Sequence, residues 1–217
     1  MIIVIDGPAG SGKSSTAKAL AEKLGLRILD SGALYRALTV AWLKADQDNH
    51  FFENLSDQSM RAKADTETFR VFWNEEELTG YIRSPEISGH VSQVAAHPAA
   101  RQFVNATMRE LVKNGTFIAD GRDLGTAVFP DAEVKFFMKA SLEERAKRRY
   151  RELHEQGEQV TLSEVQNNLE QRDHTDSNRQ ADPLRQADDA IVIDTTELSF
   201  DEQVATMSAI IKKALNN

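Results

Sequence analysis

Residues 7–14 read Gly-Pro-Ala-Gly-Ser-Gly-Lys-Ser, which is a complete G-x-x-x-x-G-K-[ST] phosphate loop. An apolar run, Met1–Ile5, precedes the loop, and a helix-forming run, Ser15–Leu24, follows it. In this strand–loop–helix order, backbone N–H groups of the loop and the positive end of the helix face the same anion. The motif therefore predicts a site for the phosphates of a Mg-nucleoside triphosphate.

The loop residues have separate expected roles. Gly7 and Gly12 allow backbone angles that other residues adopt only with strain. Lys13 is expected to reach the β- and γ-phosphates, and Ser14 to offer its hydroxyl to Mg²⁺. The predicted triphosphate contacts are Gly7, Pro8, Ala9, Gly10, Ser11, Gly12, Lys13, Ser14 and Ser15.

Bulk composition excludes several classes of function. The chain has 217 residues, which suits one α/β domain with an insertion or two small domains. Its net charge of −8 argues against non-specific binding to nucleic acid or anionic lipid. There is no cysteine, so disulfides, zinc thiolates and thiol catalysis are excluded. Without a basic leader or an apolar run of membrane-spanning length, the chain is expected to be soluble and cytoplasmic.

Strand-like and helix-like segments alternate along the chain, which predicts an α/β fold with a doubly wound, mostly parallel sheet and helices on both faces. A change of period at residues 69–82 predicts an antiparallel hairpin inserted into this fold, with its turn at 74–77. The stretch 47–58 is expected to be loop. The predicted parallel strands are 2–5, 27–30, 116–120, 134–138 and 190–193.

Charged segments at predicted strand ends are candidates for ligand contacts, because ligands of such folds bind at the carboxyl ends of the strands. Asp120–Asp123 follows one strand, where Asp120 is placed to hold the hydration shell of Mg²⁺. Asp30–Arg36 begins a helix and suits a second anion site. The alternative reading of both segments, ordinary turns and caps facing water, stays open.

Two helical segments carry further candidate charges. Arg172, Asp176 and Arg179 stand at i, i+4 and i+7, so a helix would place two guanidinium groups on one face beside a carboxylate. Surface salt bridges would explain them equally well. The basic helix near 142–156 is either a solvated face or a mobile lid with arginines for the triphosphate. The five histidines form no metal-spaced pair.

Taken together, these segments resemble bacterial cytidylate kinase, a nucleoside monophosphate kinase, nearly from end to end. The resemblance rests on residues 5–8, 30–36, 92–95 and 119–126, and on Arg172-Asp173 followed by Asp176 and Arg179. Gly121-Arg122-Asp123 and the inserted hairpin are its discriminating features. One departure is Asp182, which stands before Pro183 where the family often has a small residue.

The resemblance implies a five-stranded P-loop NTPase-type fold that transfers the γ-phosphoryl group of ATP to CMP, and to dCMP, in pyrimidine nucleotide metabolism. It implies a single domain with a core (about 1–30, 97–140 and 184–217), a CMP-binding region with the β insertion (about 31–96) and a short helical lid (about 141–183). ATP, CMP or dCMP, and Mg²⁺ would be its ligands, and a monomer is expected.

The resemblance also implies residue roles. Ser92, Arg101 and Asp123 would read the cytosine edge, and Asp176 would bind the ribose hydroxyls. Lys13, Arg122, Arg172 and Arg179 would be catalytic, and Ser14 and Asp120 would hold Mg²⁺, the latter through water. Arg148 or Arg149 would add contacts to ATP. The remaining implied CMP contacts are Ser31, Tyr35 and Arg36, together with Arg122, Arg172 and Arg179.

Three other functions stay open at this point. The chain could phosphorylate a different small acceptor, such as a nucleoside or shikimate. It could be a nucleotide-binding regulator that hydrolyses slowly, although no long exposed apolar segment supports this. It could bind nucleotide without catalysis, which the intact Lys13 and Ser14 argue against.

Overall fold

The computed structural model describes residues 1–48 and 50–215. The strands are β1 (Ile2–Asp6), β2 (Arg27–Asp30), β3 (Met60–Ala64), β4 (Phe69–Trp73), β5 (Glu76–Glu77), β6 (Phe117–Asp120), β7 (Val134–Lys139) and β8 (Ile191–Asp194). The helices are α1 (Lys13–Leu24), α2 (Ser31–Lys44), α3 (Pro85–Ala96), α4 (Pro98–Leu111), α5 (Leu142–Glu155), α6 (Leu162–Asn178) and α7 (Phe200–Leu215).

The central sheet has five parallel strands in the order β2-β6-β1-β7-β8. Its middle strand, β1, is almost wholly apolar because both faces of the sheet are covered. Val4 packs into a cluster with α2, α3 and α4, whereas Ile3 and Ile5 pack on the other face with α1 and α7. The predicted doubly wound α/β fold with helices on both faces is confirmed.

The inserted sheet differs from the predicted hairpin. It has three antiparallel strands in the order β3-β4-β5, and sequence analysis missed β3 because Ala62, Lys63 and Ala64 are residue types with low strand propensity. The return strand covers only Glu76–Glu77, since the turn is already complete at Asn74 and Glu75, both with positive φ. The prediction that 78–82 forms this strand was wrong. A 3₁₀ segment, Phe51–Asp57, occupies most of the predicted loop.

Helices α5 and α6 form a pair that rests on the phosphate loop. Ser141 caps α5 through the Glu144 N–H, and Thr161 and Glu164 form a reciprocal capping box at the start of α6. A small apolar cluster joins the pair to the loop: Ala9, Ala146, Val165 and Leu169. That α5 and α6 act as a mobile lid stays a prediction.

Within residues 1–48 and 50–215, none of the helices combines the length and the apolar character that crossing a lipid bilayer requires.

Two glycines provide a matched test of the packing around the phosphate loop. Gly7 has φ 147°, and a Cβ there would overlap the Met138 carbonyl oxygen of β7. Gly89 is exposed within α3, and a Cβ there would meet no atom within 4 Å. Gly89→Ala is therefore expected to raise the free energy of unfolding by about 0.5–1 kcal/mol. Gly7→Ala should lower it, and urea denaturation measures both; equal effects would contradict this packing.

Candidate functional site

A cleft with a cavity of about 470 Å³ opens at the carboxyl ends of the central strands. The phosphate loop, the start of α2, residues 120–123 and parts of α3, α5 and α6 line it. Most of the predicted site residues lie along its walls. Gly7, Pro8, Ser11 and Arg101 are the predicted residues that do not.

Two glycines of the phosphate loop adopt positive φ angles that other residues reach only with strain. Gly10 and Gly12 have φ of 75° and 90°, and α1 starts directly after Gly12. The Lys13 ammonium donates to the Pro8 carbonyl at 2.7 Å and is buried. Burial, followed by the nearby positive charge of Arg122, lowers the pKa of Lys13. An anion in the cleft would relieve both effects, since it would attract the charged form of the lysine.

Ser14, in the first turn of α1, meets Asp120 at the carboxyl end of β6. The Ser14 hydroxyl donates to Asp120 Oδ2 at 2.6 Å, although 106 residues separate the two. Burial, and secondarily the charge of Asp30, raises the pKa of Asp120 to about 6. A hydroxyl and a carboxylate are hard oxygen donors of the kind that Mg²⁺ prefers, so this pair fits the predicted metal.

Four arginines surround the middle of the cleft: Arg36, Arg122, Arg172 and Arg179. Arg122 Nε donates to Asp176 Oδ2 at 2.8 Å. Arg172 Nε, in contrast, is buried without a hydrogen-bond partner among the described residues. Burial, followed by the charge of Arg122, lowers the pKa of Arg172 to about 10. A half-buried guanidinium whose buried Nε is unpaired among these residues is an arrangement suited to an incoming anion.

The predicted helical face of residues 172–179 is only partly correct. Arg172 and Asp176 lie on α6, but Arg179 follows its end and has extended backbone angles, φ −63° and ψ 146°. Arg179 nevertheless approaches Asp176 to 3.9 Å between Nη1 and Oδ1. The turn after the helix, rather than helical periodicity, brings the third residue to the site.

Asp123 lines the cleft and is held there by two arginines. Its Oδ1 accepts from Arg179 Nη2 at 2.5 Å, and its Oδ2 pairs with Arg101. Arg101 is 2% exposed, lies 5.7 Å from the centroid of the Tyr35 ring, and stands behind Asp123 rather than in the cavity wall. Ser92 does line the cavity. That Ser92, Arg101 and Asp123 recognise the cytosine edge stays a prediction.

The remaining predicted residues have partners within the protein. The Ser31 hydroxyl donates to the Asp120 carbonyl at 2.7 Å, and the Tyr35 hydroxyl donates to Asn105 at 3.4 Å. Arg148 donates to Thr195, whereas Arg149 pairs with Glu152 at 2.7 Å. Both arginines of α5 line the cleft, so both remain candidates for phosphate contact.

Sequence reasoning missed Asp6, which fixes the 120–123 loop. Its two carboxylate oxygens accept from the backbone N–H groups of Leu124 and Gly125, at 2.9 and 2.7 Å. Burial raises its pKa to about 6 even though these two hydrogen bonds act in the opposite direction. The signal was available, because Asp6 is a charged residue at the carboxyl end of the most apolar strand.

Asp173 and Arg145 were also missed as site residues, and they fasten the phosphate loop to α5 and α6. The Ala9 N–H donates to Asp173 at 3.2 Å, and Arg145 Nη1 donates to the Ala9 carbonyl at 2.9 Å. Arg145 and Asp173 also pair with each other at 2.5 Å. Only the adjacency of Asp173 to Arg172 hinted at this contact in the sequence.

The chain is similar over nearly its whole length to known proteins of one family. The family model for cytidylate kinase matches residues 3–213. A cytidylate kinase of Carboxydothermus hydrogenoformans is 43% identical over 215 residues, covering 97% of each chain. Cytidylate kinases of Ligilactobacillus salivarius and Shouchella clausii are 44% and 43% identical, each covering 97% of this chain and 96% of the relative.

The raised pKa of Asp120 predicts a stability that depends on pH. Because the pKa in the folded state, about 6, lies above the ordinary 3.8, the ionised carboxylate destabilises the fold above pH 6 and has no such effect below about pH 4. Asp120→Asn keeps an acceptor for Ser14 and removes the charge. We expect it to raise Tm at pH 7.5, by an amount that shrinks as the pH falls from 6 to 4.

Differential scanning calorimetry without ligands would measure this difference, with the exposed Asp188→Asn as the control. A lower Tm for Asp120→Asn at pH 7.5, or a difference independent of pH, would contradict the assigned cause.

Proposed function

Because the chain belongs to the cytidylate kinase family, we propose that it transfers the γ-phosphoryl group of ATP to CMP and to dCMP, giving ADP and CDP or dCDP. The observation that carries this proposal is a single cleft that contains the phosphate loop and also Asp123, with the arginines between them. Donor and acceptor can then lie end to end. That the enzyme works as a cytoplasmic monomer stays a prediction.

The phosphate loop would hold ATP. Backbone N–H groups of residues 10–15 and the N-terminal end of α1 would surround its phosphates, and Lys13 would turn from the Pro8 carbonyl to the β- and γ-phosphates. Ser14 and Asp120 would hold Mg²⁺, Asp120 through water. When bound, Mg²⁺ neutralises charge on the transferring phosphates. Arg148 and Arg149 of the lid would add contacts to ATP.

The acceptor needs no strong general base. Its nucleophile would be an oxygen of the CMP 5′-phosphate, which is already anionic at neutral pH. The protein must instead hold two anions in line and stabilise the charge that shifts between them. Arg36, Arg122, Arg172 and Arg179 would supply that positive field, and they lie together on the wall of the cleft.

Cytosine would be recognised at the Asp123 end of the cleft. Its amino group can donate to a carboxylate, while its ring nitrogen and carbonyl oxygen can accept from Ser92 or Arg101. Burial raises the pKa of Asp123, but the adjacent Arg101 and Arg179 favour its ionised form, which accepts hydrogen bonds. Uracil has an oxo group in place of the amino group and would leave this acceptor unpaired, which is costly in a buried site. Asp176 would bind the ribose hydroxyls.

A coupled assay of ADP release with Mg-ATP tests the proposed function directly. The acceptor panel is CMP, dCMP, UMP, AMP and GMP. We expect rapid turnover with CMP and dCMP alone. Comparable turnover with UMP would overturn the assignment of Asp123, and no turnover with any acceptor would overturn the function.

Arg172 allows the sharpest test of the phosphate site. Because Arg172 Nε has no hydrogen-bond partner within the described part of the chain, Arg172→Met removes a half-buried charge while keeping most of the bulk, and the fold should not lose stability. Turnover of CMP is expected to fall on the order of 10³-fold, as when an arginine finger is lost. The exposed Arg185→Ala is the matched control and should change neither property. A near-normal rate for Arg172→Met would exclude it from catalysis.

A further inference from the structure

Asp182 touches both of the arginines that hold Asp123. Its carboxylate Oδ2 accepts from Arg101 Nε at 2.7 Å, and its backbone carbonyl accepts from Arg179 Nε at 2.8 Å. Together with Asp123, these residues form a charge cluster of two arginines and two aspartates: Arg101, Asp123, Arg179 and Asp182. The formal charge of the cluster is therefore zero.

The backbone after α6 is built to direct this carboxylate inwards. Asp182 has φ 47°, a left-handed conformation that Asp tolerates better than most residues. The Leu184 N–H donates to the Asp176 carbonyl at 2.8 Å, which turns the chain back onto the end of the helix. The segment thereby brings a lid residue against Arg101 of α4, although 81 positions separate the two in sequence.

Besides Asp182, two hydrogen-bond acceptors hold the Arg101 guanidinium. Of its five N–H donors, Nε meets Asp182, one on Nη2 meets Asp123, and one on Nη1 meets the Ala95 carbonyl at 3.3 Å. Arg101 does not line the cleft, so its effect on a ligand passes through Asp123, whose carboxylate it holds. Without Asp182, Nε would be a buried donor lacking its partner, and one positive charge of the cluster would be uncompensated.

Asp182 does not line the cleft, and its side chain is 35% exposed, so it acts on a ligand only through Arg101. We propose that Asp182 is a positioning residue for the nucleobase. It fixes the Arg101 guanidinium behind Asp123, and so links the orientation of the base-recognising residues to the segment that follows α6. This inference rests on the proposed function and adds to it a residue that sets affinity for CMP without touching it.

Steady-state kinetics of Asp182→Ala and Asp182→Asn test this role, with CMP and ATP varied in turn at saturating Mg-ATP and CMP respectively. Asp182→Ala removes the acceptor and should raise KM for CMP roughly tenfold or more, the size expected for a lost hydrogen bond to a charged group. KM for ATP should change less than about twofold. Asp182→Asn retains an oxygen acceptor for Nε and should recover much of the affinity for CMP.

Glu143→Ala provides the control from the same lid, because Glu143 pairs with Lys147 on an exposed face of α5 and is remote from the cluster. Its KM values should match those of the unmodified enzyme. Equal rises in both KM values for Asp182→Ala, a loss confined to kcat, or an unchanged KM for CMP would each overturn the positioning role. If Asp182→Ala does not fold, Asp182→Gly decides, because glycine adopts the φ of 47° without strain and also removes the acceptor. An unchanged KM for CMP in that variant would overturn the positioning role.

Failure of the proposed function is detected separately, since it would appear as absent CMP turnover in the unmodified enzyme.

Discussion

Parallel pairing of β1 with β6 on one side and β7 on the other is the constraint from which the site follows. The register aligns Ile5 with Asp120 and Asp6 with Phe137, so that the strands reach the cleft together. Asp120 can then accept from Ser14 of the adjoining loop, and Asp6 can hold the backbone after Asp123. A slip of one residue would turn these side chains to the opposite face of the sheet.

The cleft keeps its charges buried by pairing most of them. Arg122 has Asp176, and Arg101 and Arg179 share Asp123, so that removing one partner would leave an uncompensated charge. The exceptions lie where phosphates are expected. Burial lowers the pKa of Lys13 and of Arg172 and raises that of Asp120, which means that the protein without ligands carries these charges at a cost in stability. Anionic and metal ligands would offset that cost.

Local patterns predicted the central fold well and the insertion poorly. The five parallel strands and their flanking helices follow from apolar runs that act over a few positions. Strand β3 consists mostly of Ala and Lys, which have low strand propensity, and its pairing with β4 is decided by tertiary contacts. The early turn at Asn74 and Glu75 depends on positive φ angles that hydropathy does not report. Both features therefore escaped prediction.

The sequence by itself determined the phosphate loop, the two-sided sheet and most of the residues that line the cleft, because each is encoded in a short contiguous pattern. Tertiary structure alone decided which charges meet. Asp182 reaches Arg101, and Asp173 reaches Ala9, across separations of 81 and 164 positions. It also decided that Arg101 stands behind Asp123 and that Arg179 follows the end of α6. The reason is physical: an ion pair depends on distance and burial in three dimensions, and residue types along a chain specify neither.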